Sequence, residues 1–462
     1  MRSREIQKCK SGGGLIMLGK DKCEKILKTV IELTGKADEA EVSIFSGEAG
    51  LTRFASNYIH QNVRERNGQV RLRVIIGKRI GHSSTNKTDP ESLKNLVDRA
   101  FQIAKLSEED PNFPGLPQAA PVQQFNAFRP STERYSPQKR AEAVASLIRL
   151  AKEKGLTASG AFKTGLREFA IANSKGVFLY HPVTVADFST VIMSEDSSGY
   201  AGASSIDVHD LDLAALAKEA VDKAQKSRHP VELAPGDYPV VLEEYAVGTL
   251  VGFLGFLGFG SRAFHEGRSF LSEKINQQVA HPMVSIWDDG LDPRGLPQPF
   301  DFEGSPKTRV ELIKDGIAKS AVWDSYSAGL ARVPNTGHGL PSPNGMGAIP
   351  LNTFMAPGNI PKVQLAKGIK KGVWVTRFHY TNPVHPKKTL ITGMTRDGTF
   401  IIEDGEITRG IKNLRFTNSI LGALEKVEAL STETKTFIGS FESTCVPSAR
   451  ISSMTFSGVT EF

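Results

Sequence analysis

NVRERNGQVRLRVII, residues 62–76, is the stretch on which the fold reading turns. Asn67-Gly68 can both take positive φ, as a two-residue hairpin turn requires. Beyond it Val70, Leu72 and Val74 alternate with Arg71 and Arg73, so the pattern predicts a hairpin with one buried and one solvated face. Working outward, Ile26, Leu27, Val30, Ile31 and Leu33 recur at helical spacing from Lys20, and residues 40–47 (AEVSIFSG) alternate like a strand. Downstream, Asp89 caps a helix with Pro90 at its first position and Leu93, Leu96, Val97 and Ala100 along one side.

The same order then returns. Pro111, Pro114, Pro117, Pro121, Pro130 and Pro137 make residues 106–137 an extended connector. After it come a helix over about 137–154, strands within 159–195 with a turn at Asn173–Gly176, and a helix over about 211–226. Residues 17–228 therefore read as an α/β region built by duplication, helix–strands–hairpin–helix twice. A linker at 229–237 leads into a strand at Tyr238–Leu242 and then AVGTLVGFLGFLGFG (246–260), an uncharged run read as a buried helix. Its glycines at 248, 252 and 255 suggest close approach of another backbone. A phosphate-binding loop would need a Lys-Ser/Thr ending that is missing. Beyond residue 265, runs such as MVSIWDDG (283–290), RVELIKDG (309–316), VWVTRF (373–378) and TFIIEDGEIT (399–408) alternate with turn residues, and only 414–429 reads as a long helix. The expected class is α+β, with 229–462 a β-rich domain of sandwich or irregular-barrel type.

Composition narrows the function. The 462 residues are 39% hydrophobic and 23% charged, ordinary for a folded protein, and no run approaches the ~20 apolar residues that span a bilayer. Cys9, Cys23 and Cys445 are too few and too scattered for a disulfide framework or a CxxC zinc site, which points to a cytoplasmic setting. The net charge of +7 is spread along the chain rather than gathered in a stripe, so nothing marks a nucleic-acid surface. Residues 1–16 form no secretory signal. Gly12–Gly14 just before Met17 read like a translated ribosome-binding site, so the expected start is Met17.

Several stretches in fixed order resemble the TldD/PmbA family, long labelled modulators of DNA gyrase and related to metalloproteases. They are RFASNYIHQN (53–62), PGDYPVVLEE (235–244), HPMVSIWDDG (281–290), FDFEGSPKTRVELIKDG (300–316), NTGHG (335–339), APGN (356–359) and 401–430. The resemblance runs from about residue 20 to near the end. It implies a duplicated α/β region followed by a β-rich region. In the TldD-like member it implies His-Glu-x-x-x-His after the PVVL strand, with a cysteine near the C-terminus completing a zinc site. There imidazoles hold the metal, zinc acidifies a bound water, and Glu takes its proton. In this chain the matching positions are Gly252, Phe253 and Leu257, none of which can hold a metal or accept a proton.

The expected catalytic, metal and cofactor residues are therefore none. The chain resembles the PmbA (TldE-type) subunit, with zinc expected in a TldD-like partner, either a heterodimer or a homodimer, and unfolded peptide as substrate. His265-Glu266 is a decoy, because Ser269 and Phe270 stand where a second ligand is wanted and His281 is too distant for one helical face. Cys445 reads as a buried structural thiol. Asp288-Asp289-Gly290 and Asn335–Gly339 read as turns, with the alternative that they line a peptide groove. His60 and His82 read as structural residues of strands. The competing function is a non-enzymatic regulator acting on gyrase or nucleic acid, whose signature would be steeply salt-dependent DNA binding.

Overall fold

In a computed structural model, residues 18–440 and 442–460 are described. The expectation about residues 1–16 lies outside them. Along the chain, α1 (Lys20–Leu33), β1 (Glu39–Ala55), β2 (Tyr58–Ile76), β3 (Arg79–Thr85) and α2 (Pro90–Leu106) come first. After a connector containing the short α3 (Pro130–Glu133), α4 (Pro137–Glu153), β4 (Thr157–Asn173), β5 (Phe178–Met193), β6 (Ser198–Ser205) and α5 (Leu213–Lys226) follow. Helix, three strands, helix thus occurs twice. Caps fix the helix starts, since the Asp89 carboxylate accepts the Ser92 N–H at 2.9 Å and the Ser136 hydroxyl accepts that of Lys139 at 3.1 Å.

The chain forms two compact units, and the long strands run from one into the other. One unit comprises residues up to Ala49, Glu65–Gln118 and Arg167–Pro182. Its core joins α1 (Cys23, Leu27, Val30) and α2 (Leu96, Ala100) to Val42, Ile44, Val70, Leu72 and Val74 of the sheet. The other comprises Gly50–Arg64, Ala119–Leu166 and everything from Val183.

The hairpin reading needs correction. Asn67-Gly68 is no turn: β2 continues through it, and Val70 to Ile76 pairs antiparallel with Thr85 to Arg79 of β3. The turn that closes β1 on β2 is Ser56-Asn57, with φ of 49° and 63°. Asn-Gly is able to adopt positive φ but is not obliged to, and the long ladder keeps it extended.

The second unit holds the β-rich part. Its strands are β7 (Gly236–Leu242), β8 (Ile286–Asp288), β9 (Val310–Lys314), β10 (Ile317–Ala318), β11 (Asn352–Met355), β12 (Lys371–His385), β13 (Leu390–Glu403), β14 (Glu406–Gly410), β15 (Leu414–Ser419), β16 (Val427–Ile438) and β17 (Ser443–Val459). They form one sheet in the order β10-β9-β8-β11-β17-β15-β13-β12-β7. Because β7 also pairs with β17, five strands close into a barrel, β17-β15-β13-β12-β7. The long helix expected over 414–429 is absent. Leu414 and Phe416 are buried while Arg415 and Thr417 are exposed, the two-residue period of strand β15, and only Ile420–Glu425 is helical.

The glycine-rich run is helical, as α6 (Glu244–Gly258). Leu250, Val251, Leu254 and Leu257 pack into the barrel's core with Val240, Val375, Val446 and Ile451. Among the described residues no helix is long and apolar enough to cross a membrane.

Candidate functional site

One face of α6 borders a cleft of about 460 Å³. Gly248, Thr249, Gly252, Phe253, Gly255 and Phe256 form the helix side. Opposite stand Ile349, Pro350, Leu351 and Thr353, and Glu442, Ser443 and Thr444 complete the lining. The expectation that the glycines admit another backbone fails at the two central ones. Among the described residues, a methyl group at Gly252 or Gly255 would meet no heavy atom within 4 Å outside the helix's own backbone, so these residues open the cleft. Gly248 and Gly258 do serve packing, since added methyls would come within 3.0 Å of the Phe437 ring and 2.3 Å of the Phe270 ring.

Both walls are held by buried charge. At the start of α6, the Glu243 carboxylate receives Lys223 Nζ at 2.7 Å, Lys362 Nζ at 3.1 Å and Trp374 Nε1 at 2.7 Å. Glu244 receives Lys362 Nζ at 2.7 Å. Burial would raise the Glu243 carboxyl, but the two ammonium groups outweigh it and hold it well below the usual range. Next to them, Lys435 Nζ donates to Tyr245 Oη at 2.6 Å and to Glu219 at 3.2 Å, and burial lowers its ammonium.

The facing wall hangs on Asp288, which lies at the end of a buried strand rather than in a turn. Its carboxylate accepts the N–H groups of Leu351 at 2.7 Å and Asn352 at 2.6 Å. Lys307 Nζ lies 3.2 Å and His338 Nε2 2.9 Å from its other oxygen, with all three side chains fully buried. Burial would raise this carboxyl, and Lys307 with His338 holds it well below its ordinary value. Burial and Lys307 in turn lower His338, against the opposing pull of Asp288. Asp289 and Asn335 do serve turns, accepting the N–H of Leu291 and Gly337 two residues on. None of residues 288–290 or 335–339 lines the cleft; they support it from behind. Nearby, burial and Glu303 push the Asp301 carboxyl up to about 8, while it accepts N–H groups from Glu303, Ser305 and Gly339.

Of the three sequence-derived positions, Gly252 and Phe253 border the cleft, whereas Leu257 is buried in the core. Cys445 packs with Trp287 and Phe354. Its neighbour Val446 packs under α6, so alternation along β17 turns the thiol to the opposite sheet face from the cleft. His265 is exposed on a short helix, its neighbour Glu266 is paired with Arg262 and Arg268, and His281 Nδ1 accepts the Met283 N–H. His60 is exposed on β2, and His82 on β3 is held down to about 4 by burial and by Arg73. A zinc ion does not fit this cleft. Among the described residues, the lining offers one carboxylate, no imidazole and no thiol, and no three His, Cys, Asp or Glu side chains converge on a metal-sized point.

Sequence models of the PmbA/TldA metallopeptidase match three consecutive parts of the chain: domain 1 at 40–104, the central domain at 133–228 and the C-terminal domain at 235–458. The chain belongs to the PmbA/TldD family. Among its relatives, the Metalloprotease TldD homolog of Haemophilus influenzae is 24% identical over 85% of this chain and 83% of its own length. Metalloprotease PmbA of Escherichia coli O157:H7 is 25% identical over 86% and 88% respectively. The fold matches the crystal structure of TldE from Thermococcus kodakarensis with a TM-score of 0.87, at 20% identity, covering 94% of this chain and 99% of that one.

The Glu243–Lys223–Lys362 and Asp288–Lys307–His338 groups escaped the sequence reading as units. Adjacent acids closing PVVLEE, just before an uncharged helix, were the available signal for the first. For the second, Asp288 in SIWDDG and Lys307 in FEGSPK sit among polar and turn-forming residues, so no local signal marked them.

Proposed function

We propose that this PmbA/TldD family chain is the non-catalytic subunit of a two-chain zinc peptidase that acts on unfolded peptides. A TldD-type partner carries the metal. What supports this reading is the lining of the α6 cleft: Gly252 and Phe253, which the family resemblance matches to a first ligand and base, border it, and neither side chain can hold a metal or accept a proton. Two buried charge networks pre-set the walls of this open cleft, which suits a subunit that shapes a chamber without performing hydrolysis. The buried free thiols Cys23 and Cys445 accord with a cytoplasmic site of action.

Mixing tests the proposal. This chain is combined with a TldD-type chain bearing His-Glu-x-x-x-His, and cleavage of an unfolded peptide is followed with each chain alone and with both. Cleavage that requires both chains, and is abolished by changing the partner's motif, is the expected result. Chelator-sensitive cleavage by this chain alone would overturn it.

A further inference from the structure

We infer that Arg140, at the start of α4, anchors an anion-binding site in the second unit that takes a small oxyanion of the phosphate class. Among the described residues, three lysine or arginine side chains are buried: Arg73, Lys307 and Arg140. Arg73 pairs with Glu41 at 2.6 Å and Lys307 with Asp288 at 3.2 Å. Arg140 is only 2% exposed, and among the described residues no carboxylate pairs with it. Its partners are all neutral. Nε donates to the Thr52 hydroxyl at 3.2 Å, while Nη1 donates to the Tyr135 carbonyl at 3.0 Å and to the Thr164 hydroxyl at 2.8 Å. A guanidinium carries five N–H groups, and these bonds use three. Both groups on Nη2 are left, buried and without a partner.

The side chain has little freedom to turn them toward water. A methyl group added at Gly50 would stand 2.4 Å from both Nη1 and Nη2, so the guanidinium lies face-on against β1. A buried lysine can shed its proton, whereas arginine keeps its charge, so an unpaired buried guanidinium calls for an anion. The surroundings add to that demand. Arg140 lies in the first turn of α4, at the positive end of the helix dipole, and that turn holds no acidic residue. Burial and the charge of Arg64 both disfavour the guanidinium, and only Tyr135 opposes them. Arg64 has an interaction of its own, so Nη2 of Arg140 is the donor. Two N–H groups on one nitrogen suit a phosphate-class oxygen, whose greater negative charge strengthens such bonds. Because Nη2 is covered, the anion enters where a neighbouring side chain gives way. Asn62 is exposed on β2, accepts the Thr52 hydroxyl at 3.0 Å and donates to the Pro137 carbonyl at 3.2 Å, bridging β2 to the start of α4 beside the guanidinium. These two bonds are the ones that entry breaks.

The test is thermal melting of the full chain, dialysed free of oxyanions, against inorganic phosphate up to about 20 mM, well below the range where phosphate stabilises proteins in general. Sodium acetate and sodium chloride at matched ionic strength are the other arms. Phosphate should raise Tm saturably, by roughly 3 °C beyond chloride, with acetate giving less than about a third of that excess. Arg140→Met should abolish the excess. Asn62→Ala, an exposed change, should lower the phosphate concentration for half the effect by roughly threefold, whether or not R140M folds. Wild-type crystals grown with selenate should show an anomalous peak within hydrogen-bonding distance of Nη2. Equal shifts from phosphate and chloride or from phosphate and acetate, a retained excess in folded R140M, an unchanged midpoint in N62A, or no selenate beside Nη2 would each overturn the inference. None of these readouts involves a partner chain, zinc or peptide, so failure here is separate from failure of the peptidase assignment, which the mixing assay reads.

Discussion

Replacing Gly252 and Gly255 by alanine should stabilise the second unit, although both sit in a helix at the centre of the candidate site. A glycine in a helix interior costs about 1 kcal/mol relative to alanine. That gain is realised only where a methyl group has room, and at these two positions no heavy atom of the described residues outside the helix backbone lies within 4 Å. Gly255 lies in the last turn of α6, where the propensity effect is smaller, so the pair together should add about 1–2 kcal/mol. Gly258→Ala is the opposing control. Its methyl would stand 2.3 Å from the Phe270 ring, and overpacking of this kind costs about 1–3 kcal/mol. Urea unfolding followed by tryptophan fluorescence reads the right unit, since Trp287, Trp323 and Trp374 all lie within it. A loss of stability in G252A/G255A would mean that something in the chain already occupies the helix face, and the open cleft would be refuted.

Other consequences follow from the buried charges. Lys307→Met leaves the Asp288 carboxylate buried without its ammonium partner, and removing one partner of a buried pair costs about 3–5 kcal/mol; the same urea titration should show it. Glu243→Ala should cost less, about 1–3 kcal/mol, because Trp374 Nε1 loses its buried acceptor while Lys362 keeps Glu244 and Lys223 keeps Glu219. Because the native Glu243 carboxyl is held low, its contribution is present above the ordinary value near 4.5 and is lost as pH falls below it. The wild-type protein should therefore lose stability on acidification through that range, and E243A should lose less. His82 is also held low, from 6.5 to about 4, so the folded state favours its neutral form. Stability from this group is full above pH 6.5 and falls by roughly 3 kcal/mol as pH drops from 6.5 to 4. Amide exchange in the Val70–Ile76 ladder should quicken over that interval beyond its intrinsic change, and His82→Gln should remove the excess.

Much of the architecture was legible because it rests on local patterns. The Asp89-Pro90 start, the apolar stripes of α1, α2, α4 and α5, and the Asn173–Gly176 turn all declare themselves within a few residues. Failures came where a distant partner decides. Asn67-Gly68 remains extended because β3 pairs along β2, and the turn falls at Ser56-Asn57, whose positive φ values no strong propensity announces. Residues 414–419 follow the barrel ladder against β13 and β17. At the site, the resemblance picked out Gly252 and Phe253, and both border the cleft. Placement of Leu257 in the core and rotation of Cys445 away from α6 depend on helix phase and strand alternation, which only the assembled sheet fixes. The pairing of Asp288 with Lys307 and His338 joins residues up to 50 positions apart, beyond the reach of any local motif.

The most direct test of the account is the metal content and hydrolytic activity of the purified chain by itself. After incubation with zinc and removal of excess, elemental analysis should find far less than one zinc per chain, and an unfolded peptide should remain uncut with or without chelator. One tightly held zinc per chain, together with chelator-sensitive cleavage, would contradict the claim that this cleft has no metal chemistry of its own.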